Sequence, residues 1–203
     1  MKLSRLFACL LVALWLFGCK GKFDDYRSIP MVYDASLMDS LSVFVAENLY
    51  FEPMYGFVRL PMDILSEFTN LVQQRRALYE VPIIAFADSM SQMIVISEVR
   101  SDRFSPQEAF MNSFEHYSTI YADNLTDSAR FRLENYLINR FIIASYDFIV
   151  TKVVLGYLEA GEITNVYMID FVLARENHVA RMQGVESSIM SLVKFNFMDS
   201  ERK

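Results

Sequence analysis

The chain has 203 residues, 53% of them hydrophobic and 14% aromatic, which excludes a disordered polypeptide and provides for a packed core. Its net charge is −6, with 25 acidic against 19 basic residues and no long Lys/Arg run, so nucleic acid is not expected as a partner. Five prolines and six glycines leave little room for low-complexity linkers.

The N-terminal segment, residues 1–18, has the parts of a secretory signal: a basic start at Lys2 and Arg5, an apolar run from Leu6 to Phe17, and a small residue, Gly18. The run is shorter than the roughly 20 residues needed to cross a bilayer. At Leu16-Phe17-Gly18-Cys19 the segment resembles the lipobox of bacterial lipoproteins, with Leu16, Gly18 and Cys19 matching and Phe17 departing from the small or β-branched residue usual there. The resemblance implies cleavage before Cys19 and a thioether from its thiol to diacylglycerol. It places the protein on the cell envelope, on the outer membrane rather than the inner, with the membrane as a partner through the lipid. A plain signal with a chance cysteine, or a short helix retained in the membrane, is the other reading.

Residues 19–34 are expected to be the lipidated cysteine and a polar tether. Asp24-Asp25 resemble the surface-export signal of Bacteroidota lipoproteins, diluted by Lys20 and Lys22; a solvated tether is the favoured reading. Cys9 lies inside the signal, so after cleavage Cys19 is the one remaining cysteine. That excludes a disulfide, a Cys-ligated zinc and a cysteine nucleophile from the domain.

Residues 35–203 are expected to form one α+β domain. Between Ala35 and Asn48 the residues Leu37, Leu41, Phe44 and Val45 fall near helical spacing, although Val43-Phe44-Val45 is also strand-like. Tyr55 to Pro61 reads as a short strand ended by proline. Asp63 is placed to cap a helix carrying Ile64, Leu65, Phe68, Leu71 and Val72. Val81–Phe86 and Met93–Val99 flank Asp88-Ser89-Met90-Ser91 and predict a hairpin.

Ser105-Pro106-Gln107-Glu108 has the order of a capping box with proline in the first turn, and Phe110, Phe114, Tyr117 and Tyr121 then share a helical face. Thr126-Asp127-Ser128 predicts another cap, before a helix bearing Ala129, Leu133, Tyr136 and Leu137. Phe141 to Leu158 is rich in β-branched and aromatic residues; with the turn Ala160-Gly161-Glu162 and the strand Val166–Leu173 it predicts a long antiparallel hairpin. Val179 to Gln183 suggests a short strand, and Val185, Ile189, Leu192 and Val193 an apolar helical stripe ending near Phe195.

The element order, with Gly56-Phe57…Pro61, the Tyr157–Gly161–Tyr167 hairpin and Ile189…Phe195, resembles the Mog1/PsbP-like group over roughly residues 55–197. The resemblance implies a central antiparallel sheet with helices packed on its faces, α/β/α sandwich-like, and an assembly or accessory role.

No nucleophile elbow, HExxH, P-loop or GxGxxG is present. His116 beside Glu115 and His178 in a loop after Asn177 have no companions at ligand spacing, so both are expected at the surface or satisfied, and no metal, cofactor or catalytic residue is assigned. Glu108 and Glu115 share a helix, but Glu108 has a capping role. Asp170 interrupts the strand Val166–Leu173 on the face of Val166, Met168 and Val172 and requires a partner, such as Lys152 or Arg140, so a structural ion pair is expected there rather than a site. Twelve methionines spread along the chain read as core filling. The expectation is a binding or assembly module of the envelope with an envelope protein partner. The alternatives are an envelope hydrolase with a site built from distant residues, and a carrier of a small apolar ligand.

Overall fold

The computed structural model describes residues 23, 26–28, 31–39, 42–46, 48–61, 63–64, 78–90 and 92–200, with side chains as far as Val193. The signal, Cys19, Asp24-Asp25 and most of the helix expected after Asp63, including Leu65, Phe68, Leu71 and Val72, lie outside these residues.

In chain order the strands are β1 (Arg27–Ser28), β2 (Val43–Ala46), β3 (Leu49–Phe51), β4 (Val58–Arg59), β5 (Tyr79–Ala87) and β6 (Met93–Arg100); helix α1 (Pro106–Ile120) follows. Then come β7 (Leu125–Leu133), β8 (Tyr136–Ala144), β9 (Phe148–Glu159), β10 (Glu162–Ala174) and helix α2 (His178–Ser200). The architecture is therefore mostly sheet: one large sheet with helices. Its strands run in the order β1-β7-β8-β9-β10-β6-β5-β4, while β2 and β3 form a separate small pair. Every pairing is antiparallel except that of β1 with β7. Within the stretch expected as tether, Arg27–Ser28 thus already joins the sheet, and the Tyr26 hydroxyl donates to Asn139 Oδ1 at 2.9 Å.

The long hairpin β9–β10 follows from its composition. β-Branched and aromatic side chains suit a pleated surface buried on both sides, and both strands alternate between two cores. Val153, Leu155, Tyr167, Ile169 and Phe171 point to one, with Val185, Ile189, Leu192 and Val193 of α2. Val154, Val166 and Met168 point to the other, with Phe110 and Tyr117 of α1. Ala160 and Gly161 turn the chain at φ +50° and +88°, the two successive positive angles of a tight hairpin turn.

Helix α1 starts as its sequence predicts. Ser105 Oγ accepts from the Glu108 amide at 3.3 Å, and Glu108 Oε2 accepts from the Ser105 amide at 3.0 Å. Helix α2 adds to its apolar stripe three fully buried serines. Ser187 Oγ accepts from the Asp34 amide at 3.1 Å and Ser191 Oγ from the Glu52 amide at 2.9 Å, so the segment before β4 is fastened to the helix through its backbone.

Four sequence expectations are corrected. Residues 126–137 form strands β7 and β8, not a capped helix: Thr126 Oγ1 donates to the Ile142 carbonyl at 2.9 Å beside a register shift at Leu125/Asp127, and Phe131 and Leu133 alternate into the core. Among the described residues of 35–48, only Ala35–Leu37 make a helical turn, capped by Asp34, before the strand-like Val43–Ala46 prevails. The apolar run from Phe141 divides, since Phe141–Ala144 end β8 and β9 begins at Phe148. Val179–Gln183 belong to the first turns of α2, where the Arg181 amide donates to the Asn177 carbonyl at 3.0 Å.

Candidate functional site

Beside Tyr121, which caps the C-terminal end of α1, the sheet carries a cleft of about 310 Å³. Strand register builds its floor. Ala85, Val95, Asp170 and Lys152 stand in one row across β5, β6, β10 and β9. Met93, Val172, Val150 and Ile143 form the next row, across β6, β10, β9 and β8. Pro82 closes one side, on a stretch of β5 where β4 no longer pairs and the missing N–H costs nothing. The walls are thus mainly aliphatic, and the polar groups converge at one place, as in small-molecule sites.

That place is Lys152. Its side chain is 4% exposed. Its Nζ lies 2.9 Å from each carboxylate oxygen of Asp170, 3.5 Å from Glu80 Oε1 and 2.9 Å from Met168 Sδ. It also sits 5.1 Å from the centre of the Tyr117 ring. The Tyr117 hydroxyl donates to Glu80 Oε1 at 3.0 Å, which ties α1 to the cluster. Asp170 Oδ1 is buried and within ion-pairing distance of Nζ, yet accepts no hydrogen bond.

Three charged groups therefore share a largely buried pocket: two carboxylates and one ammonium. Burial pushes the Asp170 carboxyl above its ordinary range; Lys152 opposes this and Glu80 adds to it. Burial works to lower the Lys152 ammonium, but Asp170 and Glu80 together outweigh it and hold the proton on more firmly than usual. Burial, with Glu80 beside it, also pushes the Tyr117 phenol upward. Ser97 lines the same cleft, and a serine near a lysine is the arrangement of Ser–Lys hydrolases. An ammonium held charged by two carboxylates is not available to take a proton from that serine.

The ion pair expected for Asp170 is present, with Lys152 as the partner. Arg140 bonds Asp127 instead, at 2.7 Å. Glu108 is engaged in its cap. His116 lies on α1 as expected, edge-on to Tyr117 at 5.1 Å, and lines a second cleft of about 370 Å³ with Glu115 and Thr119. His178 departs from expectation. It is the first residue of α2, 8% exposed, and its Nε2 has no hydrogen-bond partner among the described residues; burial lowers its pKa. Neither histidine lines the Lys152 cleft. Among the described residues no three His, Cys, Asp or Glu side chains converge as metal ligands, and no helix is long and apolar enough to cross a membrane.

Sequence reasoning found the Asp170–Lys152 pair but missed Glu80 and the aliphatic rows. Glu80 was legible only as the residue before a predicted strand. Its place beside Lys152 depends on the strand order β9-β10-β6-β5, which joins residues far apart in the chain. No protein-family model matches the chain, and no curated protein is significantly similar to it.

Proposed function

We propose that the chain is a lipid-anchored envelope protein, attached through Cys19, whose domain is a binding module rather than an enzyme. In this reading the domain is an α/β/α sandwich-like fold of the Mog1/PsbP-like kind, with α1 and α2 on opposite faces of the sheet. The Lys152 cleft is where a small ligand enters. One observation carries the binding role: a lysine paired with Asp170 and Glu80 at the floor of a mainly aliphatic cleft, which gives shape with the polar groups gathered at one place. The apolar run, Gly18 and Cys19 support the anchor, and acyl chains at that cysteine would hold the domain without an apolar membrane face of its own.

Two measurements test this. Cys19→Ala should abolish incorporation of labelled palmitate and move the folded protein from the membrane fraction to the soluble one; unchanged retention and labelling would refute the anchor. Titration of the full chain with a short apolar alcohol, n-hexanol, should perturb the Met93 methyl resonance at the cleft. A Met93 signal unmoved by any small amphiphile would refute the binding site.

A further inference from the structure

The charge count of the cleft identifies a class of ligand. Lys152 on β9 faces Asp170 on β10 and Glu80 on β5; Tyr121, just after α1, lines the cleft, the Tyr117 hydroxyl bonds Glu80, and β6 contributes Met93, Val95 and Ser97. One ammonium thus stands against two carboxylates. Asp170 accounts for the lysine at 2.9 Å on both oxygens, and Glu80, at 3.5 Å, is the surplus. The Glu80 side chain is 25% exposed and that of Lys152 only 4%, so an incoming group meets the carboxylate and not the ammonium. An anionic headgroup would find its counter-charge covered and would approach a carboxylate. A cationic one would find a partly desolvated acceptor already oriented by the Tyr117 hydroxyl. The aliphatic rows beside it, with Val95, Val150 and Val172, suit a short hydrocarbon body, and about 310 Å³ is at the small end of ligand sites.

We infer that the cleft binds a small amphiphilic organic cation, a protonated amine on a short alkyl body, with the ammonium on Glu80 and the alkyl part on Val95, Val150 and Val172. This rests on the cleft being the ligand site proposed above and adds the sign of the ligand's charge.

The experiment is calorimetric titration of the full chain in detergent with n-hexylamine, n-hexanol and hexanoate at about pH 7, where the alkylamine is protonated. The Met93 methyl resonance serves as a local reporter in the same samples. Hexylamine should bind at least about tenfold more tightly than hexanol and shift Met93, and hexanoate should bind weakest. Glu80→Gln should bring hexylamine down to the level of hexanol. Hexanol equalling hexylamine, or hexanoate binding best, would overturn the inference and leave the cleft as a ligand site. Hexylamine binding with Met93 unmoved would overturn it without any variant. No binding by any of the three would overturn both.

Discussion

Lys152 and Asp170 stand directly opposite each other on β9 and β10, and the lysine nitrogen is 2.9 Å from both carboxylate oxygens. A cross-strand pair this deeply placed has two energetic faces. Desolvating both ions costs much of what their attraction returns, yet removing one leaves the other without compensation. Lys152→Met should therefore destabilise the domain by about 3–5 kcal/mol. Lys152→Met with Asp170→Leu should recover most of that loss. Urea unfolding of the two single variants and the double variant gives the coupling. A double variant no more stable than Lys152→Met would mean that the pair is not the unit of interaction.

The same pair sets a pH dependence. The Asp170 carboxyl is held above its ordinary range by burial, against Lys152 and with Glu80. The folded state thus binds this proton more tightly than the unfolded chain does. The stability it contributes is complete below the ordinary carboxylate pKa of about 4 and is lost as pH rises through the elevated value. Asp34, lowered by its hydrogen bonds from Ser36, and Glu108, lowered by its bonds from Ser105, act in the opposite sense: their contribution is present above the ordinary range and fades as pH falls. Wild-type stability should climb out of acid and then decline. In Asp170→Asn the decline should flatten and the acid limb remain. Chemical unfolding across this range reads both limbs, and an undiminished decline in Asp170→Asn would locate the responsible group elsewhere.

Two glycines predict opposite outcomes for the same substitution. A Cβ on Gly156 would stand 3.0 Å from Ile163 Cδ1 and from two carbons of the Phe110 ring, both buried under α1. Gly156→Ala should cost about 1–3 kcal/mol as overpacking of a filled core. A Cβ on Gly184 would meet Met54 Sδ at 2.8 Å, at the flexible end of a thioether. Inside α2 the exchange also gains about 1 kcal/mol of helix propensity, so Gly184→Ala should be close to neutral. Thermal unfolding of the two variants side by side decides the matter, and equal losses would contradict this difference in surroundings.

The elements legible in the sequence are those whose signal is local. Ser105 with Glu108, the apolar spacing of Phe110 to Tyr121, and the Ala160–Gly161 turn between two β-rich runs all appear as read. The failures occur where a local pattern was ambiguous and tertiary pairing decided. Ala129, Leu133, Tyr136 and Leu137 repeat at helical intervals, yet β8 is held between β7 and β9, and the Thr126 hydroxyl that resembled a helix cap serves a bulge instead. Val179 to Gln183 was too short to distinguish strand from helix, and burial at His178, Gly184, Val185, Ser188 and Ile189 shows the helical interval only when the whole segment is taken together.

The candidate site was half legible for the same reason. An acidic residue in an apolar strand demands a partner, and Lys152 was within reach once a hairpin was assumed. Nothing local indicates that the strand order brings Glu80 to the same lysine, or that α1 ends at Tyr121 so that the next row of the sheet stays open as a cleft.

The start of α1 offers a final test that bears on this site, because Tyr117 of that helix orients Glu80. Ser105 Oγ accepts from the Glu108 amide, and Glu108 returns a carboxylate to the Ser105 amide and hydroxyl. Loss of the serine oxygen leaves an amide of the first turn without its acceptor, which typically costs about 1 kcal/mol. Ser105→Ala should lower stability by that amount, and Ser105→Asp, which keeps an acceptor oxygen in place, should restore most of it. The damage should stay local. Amide exchange should quicken at Glu108 and its neighbours and remain slow around Tyr117, three turns away and packed on Phe141 at 5.8 Å. Faster exchange along the whole helix would mean that the capping box, and not the aromatic face, holds α1 on the sheet.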